Sequence, residues 1–62
     1  MHEVLRSLRE QKGWTQTQLA AESGVSQTYI SELEAGKSDP TIAIVRKLAS
    51  ALGVSIADLL AA

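Results

Sequence analysis

Residues 27–35 read Q-T-Y-I-S-E-L-E-A. Taken as a helix turning about 100° per residue, Ile30 and Leu33 set the inward direction. Thr28, Ser31, Glu32 and Ala35 then point the opposite way, Gln27 stands at the exposed amino-terminal end, and Tyr29 lies on a flank. A helix that merely faces water usually carries more Lys, Arg and Glu. Short donors and acceptors of this kind suit base edges in the major groove of duplex DNA. Gln pairs bidentately with adenine, the hydroxyls of Ser and Thr serve several bases, the Thr methyl touches thymine, and Glu accepts from the cytosine amino group. The plainer alternative at this stage is an ordinary solvated helix surface.

Two further positions offer phosphate chemistry. Gln16 opens the preceding helix, where its amide and the free backbone N–H groups could hold a phosphate oxygen. Lys37 and Ser38 lie just past the reading segment, where a second phosphate would pass. Capping and simple solvation are the corresponding plain readings. Other signals fall away. Gly36-Lys37-Ser38 lacks the earlier glycine of a phosphate loop, because that place is Ser31. His2-Glu3 lacks the second histidine of a zinc-protease motif, because that place is Arg6. A single histidine leaves little general-base chemistry, so no enzyme, no metal and no cofactor is expected.

Such side chains need a scaffold, and the glycines punctuate it. Gly13, Gly24, Gly36 and Gly53 each fall where a helical pattern stops. Three of them precede an apolar residue and then a hydroxyl residue: Trp14-Thr15, Val25-Ser26 and Val54-Ser55. Those hydroxyls are good N-caps, and Trp14–Leu19, Val25–Ile30 and Val54–Leu59 have the spacing of hydrophobic staples. Thr15 with Gln18 fits a capping box, and Thr41 after Pro40 caps another helix. The expected helices are about 2–12, 16–23, 27–35, 42–52 and 56–61, with no strand. The second and third, joined by a tight turn at Gly24, have the plan of a helix-turn-helix.

The inward positions are aliphatic: Val4, Leu5 and Leu8; Leu19; Val25, Ile30 and Leu33; Ile42, Val45, Leu48, Ala49 and Leu52; then Ile56, Leu59 and Leu60. Ala20 supplies a small residue where helices approach closely. At 62 residues and 45% hydrophobic, the chain is one folded domain near the lower size limit, not a disordered tail. It has no cysteine, which fits a reducing cytoplasm, and no apolar run long enough for a membrane span. A net charge of −1 weighs mildly against nucleic acid, although local placement outweighs the sum.

The chain resembles the phage-repressor and Cro-type helix-turn-helix family. The resemblance is carried by L-R-S-L-R-E-Q-K-G-W-T-Q-T-Q-L-A, S-G-V-S-Q-T-Y-I-S-E-L-E-A-G-K-S, P-T and L-A-S-A-L-G-V, in register from Leu5 to Leu60. It implies an all-α, five-helix, lambda-repressor-like domain over residues 1–62, acting in the cytoplasm of a bacterial or phage-infected cell. It implies a sequence-specific regulator, a repressor or an activator with repressor the favoured form, binding a pseudo-palindromic operator as a homodimer.

By that resemblance Gln16 anchors phosphate and Gln27, Thr28, Ser31 and Glu32 read bases. Tyr29 lies near the DNA backbone or an outer base, Lys37 and Ser38 grip phosphate, and Arg9 pairs with Glu34. The wheel agrees with the last role, placing Glu34 about 40° from Ile30. Trp14 departs from the family pattern, which has a smaller aliphatic there, and reads as core. Glu32 repels phosphate and narrows the sequences that are acceptable. Ile44, Ile56 and Leu60 exceed what so small a core holds; those left outside would form a dimer seam near the last helix. The alternative function is a helical protein-interaction module, such as an antitoxin-like or anti-repressor domain.

Overall fold

The computed structural model describes residues 1–61; the final residue of the 1–62 domain lies outside them. Five helices follow in order: α1 (His2–Gln11), α2 (Gln16–Ser23), α3 (Gln27–Glu34), α4 (Ile42–Leu52) and α5 (Ile56–Leu60). There is no strand among the described residues. α1, α3 and α5 each end one residue before the expected limit. Lys12 and Ala35 keep helical dihedrals but act as caps, and Ala61 leaves the helix at φ −59°, ψ 128°.

Side-chain oxygens start four of the helices. Thr15, Ser26, Thr41 and Ser55 accept from the backbone N–H of Gln18, Tyr29, Ile44 and Asp58. Each bond satisfies a donor that a helix start would otherwise leave without a partner. The Thr15–Gln18 capping box closes in both directions, at 3.1 and 2.7 Å. Ser55 and Asp58 close a second box that spacing alone had left as a simple cap.

The turn between α2 and α3 is set by Gly24 at φ 74°, ψ 12°, with its N–H on the Ala20 carbonyl. A side chain there would press its Cβ against the following carbonyl, so the left-handed cap favours glycine. The chain reverses at once, and Ser26 starts the next helix two residues later.

The core joins Leu5 of α1, Leu19 of α2, Ile30 and Leu33 of α3, four residues of α4 and Leu59 of α5. Val25 closes the turn beneath it. Trp14, Val54, Leu8, Ile44 and Ile56 pack against this cluster while half-buried. α2 therefore lies against α3 and α4, while α1 lies against α3 and α5.

Two apolar positions differ from expectation. Ile42 is 56% exposed and Leu60 is 47% exposed. Val45, Leu48, Ala49 and Leu52 form the buried stripe of α4. Ile42 sits in the first turn at the edge of that stripe, so helix geometry turns its side chain partly away from the packed face. In the short α5, Leu59 takes the inward direction, so its neighbour Leu60 is carried about 100° away. Of the three residues too many for the core, Leu60 stays outside, while Ile44 and Ile56 are partly covered.

Candidate nucleic-acid interface

α3 presents Gln27, Thr28, Ser31 and Glu32 to solvent, while Ile30 and Leu33 fix its other side in the core. All four side chains are exposed, and of the four only Gln27 bonds to another side chain among the described residues, to Gln16 of α2. Among the described residues, the side chains of Thr28, Ser31 and Glu32 hold no intramolecular hydrogen bond. Lys37 is exposed and Ser38 half-buried in the segment that follows. Tyr29 is half-buried, and its hydroxyl donates to the Asp39 carbonyl at 3.3 Å. Pro40 favours extended backbone at Asp39, so Tyr29 ties the flank of α3 to the loop bearing Lys37 and Ser38.

Behind the row lies a chain of polar contacts. Arg9 meets Glu34 through two parallel bonds, Nε to Oε2 at 2.7 Å and Nη2 to Oε1 at 2.9 Å. Its remaining arm, Nη1, donates to the Trp14 carbonyl at 2.7 Å. One guanidinium thus joins α1, the α1–α2 turn and α3. The side chains of Arg9 and Glu34 are only 11% and 5% exposed, so water does little to screen the pair. Burial pushes the Glu34 carboxyl up, but bonds from Arg9 and Gln16, with the charges of Arg9 and Arg6, outweigh it and hold it below the usual carboxylate range. Arg9 is raised by its bond to Glu34.

Gln16 extends the chain toward the surface. Its Nε2 donates to Glu34 Oε1 at 3.2 Å, and its Oε1 accepts from Gln27 Nε2 at 3.1 Å. The first side chain of the exposed row is therefore linked, through Gln16, to the buried pair. Gln16 stands at the helix start as expected, but its inward engagement with Glu34 and Gln27 has no local signal in the sequence beyond a polar residue in the first turn of α2. Trp14 lies half-buried as part of the core margin, with Lys12 Nζ 5.1 Å from its ring centroid. Among the described residues, no cluster of three His, Cys, Asp or Glu side chains could hold a metal ion.

Two short helices at a left-handed glycine turn, the second showing polar side chains outward, define a helix-turn-helix DNA-binding domain. The comparison with known families agrees: residues 5–59 match the Helix-turn-helix (HTH_3) model, and the chain belongs to that family. It is 50% identical over 52 residues to y4dJ of Sinorhizobium fredii, described as an uncharacterised HTH-type transcriptional regulator. That match covers 84% of this chain and 68% of the relative. The immunity repressor of Bacillus phage phi105 is 27% identical over 52 residues, 84% of this chain but 36% of that protein. The restriction-modification controller protein C.AhdI of Aeromonas hydrophila superposes with a TM-score of 0.92 at 34% identity, over 95% of this chain and 89% of that one. The class is that of DNA-binding transcription regulators.

Proposed function

We propose that α3 reads the major groove of an operator through Gln27, Thr28, Ser31 and Glu32, and that the domain acts as a repressor by occupying that site. The observation that carries this reading is the exposed polar row, three of whose members keep every donor and acceptor free for base edges. Gln27 uses one amide hydrogen on Gln16 and retains another hydrogen and its oxygen, the pair that adenine requires. Gln16, Tyr29, Lys37 and Ser38 supply the backbone contacts that set register without reading sequence. Glu32 restricts acceptance to sites whose bases offset its charge against the phosphates. No catalytic role belongs to this reading. No helix among the described residues is long and apolar enough to cross a membrane.

Two copies meeting through the last helix, with Leu60 and the half-buried Ile56 in the seam, would set two α3 helices about 34 Å apart on a pseudo-palindrome. The exposure of Leu60 supports that seam. Selection from a random DNA pool at two salt concentrations tests the whole reading. A symmetric preferred site, bound more weakly at the higher salt, is the expected result. Absence of DNA binding at low salt, with capture of a protein partner instead, would favour the interaction-module alternative.

Lys37 yields a sharper expectation. Lys37→Ala weakens operator and random duplex alike, and the salt slope becomes shallower by about 0.9 for each phosphate that Lys37 neutralises. Fluorescence anisotropy titrations on both duplexes measure this. Unchanged binding to both removes Lys37 from the interface.

A further inference from the structure

Beside the exposed row, an open crevice of about 220 Å³ lies between α1, α2 and α3, lined by Arg6, Arg9, Gln16, Ser31, Glu34 and Ala35. We propose that this crevice seats a DNA phosphate and that Arg6 is its cationic contact, an assignment that rests on the reading of α3 above.

The argument is one of charge and position. Three charged groups line the crevice. Arg9 and Glu34 cancel through their two bonds, leaving the charge of Arg6 in excess. Among the described residues, Arg6 makes its ion pair with Glu10, one helical turn on, at 3.8 Å, and the two side chains are 64% and 59% exposed. An exposed pair of that kind is weak, and a phosphate readily displaces it. The guanidinium fork matches phosphate oxygens bidentately. Gln16 has one hydrogen on Glu34, so its second Nε2 hydrogen remains available to the same phosphate. Ser31 stands on the rim, so a base contact and a backbone contact adjoin, as the edge of a groove demands. A net charge of −1 makes each placed cation count for more.

The test compares the parent chain with Arg6→Gln, Arg6→Lys and Glu10→Gln on the selected operator and on random duplex, across a salt series. Arg6→Gln should weaken both duplexes several-fold and reduce the salt slope by about 0.9 per protomer. Arg6→Lys should keep the slope, because the charge stays. Glu10→Gln should tighten both complexes, because it frees Arg6 and removes a nearby like charge to phosphate. Thermal midpoints should stay together, since an exposed pair contributes little stability. Unchanged affinity and slope in Arg6→Gln, with the parent still bound, overturns the Arg6 assignment alone. A parent chain that binds neither duplex overturns the reading of α3 beneath it.

Discussion

Replacing Arg9 with alanine should leave much of the protein unfolded at 25 °C. The change strands Glu34, whose side chain is 5% exposed, without the two bonds that compensate its charge. Breaking a buried pair from one side costs about 3–5 kcal/mol. A single core of this size supplies about the same in total. Circular dichroism melts should show the midpoint falling by about 12–40 °C, or no folded baseline at all. The paired change Arg9→Met with Glu34→Leu should recover most of that stability, because apolar side chains replace a buried ion pair at little cost. A midpoint within a few degrees of the parent in Arg9→Ala would show that the pair does not hold the frame.

Acid should probe the same ion pair. The folded carboxyl of Glu34 is lowered, so its contribution is complete above the unfolded value of about 4.3 and is lost as pH falls through the lower folded value. The midpoint should therefore hold steady on this account from pH 7 to about 5 and decline in stronger acid. The Arg9→Met, Glu34→Leu variant should lack that part of the decline. The raised value of Arg9 acts only above an already extreme alkaline range, outside any practical titration.

The second large effect concerns recognition. Gln27→Ala should weaken the operator complex by about 5- to 150-fold per half-site, since one bidentate pairing with a base is worth about 1–3 kcal/mol. Random duplex should weaken no more than about threefold, since its binding rests on phosphates. The thermal midpoint should hardly move, because Gln27 is exposed. Parallel anisotropy titrations on both duplexes read the difference. Equal weakening on both would show that Gln27 does not read a base.

Much of the frame was legible because its signals are local. A glycine, an apolar residue and a hydroxyl in succession mark the end of one helix and the start of the next, and α2, α3 and α5 begin where that pattern puts them. The outward row of α3 was legible for a similar reason, since two inward residues orient a helix. What the sequence withheld depends on distant neighbours. Ile42 fits the apolar spacing of α4, but it lies at the edge of the buried stripe and stays 56% exposed. The bond that Gln16 donates to Glu34 and the one it accepts from Gln27 join residues 18 and 11 positions apart, and no periodicity reports them. The wheel turned Glu34 inward, but only the resemblance named Arg9 as its partner.

Thr28, Ser31 and Glu32 bear no weight in the fold: they bury nothing, and among the described residues their side chains hold no internal bond. Exchange at these three places should therefore cost the domain almost nothing in integrity. On the proposed reading of α3, lineages carrying this frame are free to drift toward new operators by changing a few exposed letters. A library randomised there should yield retargeted proteins that melt with the parent.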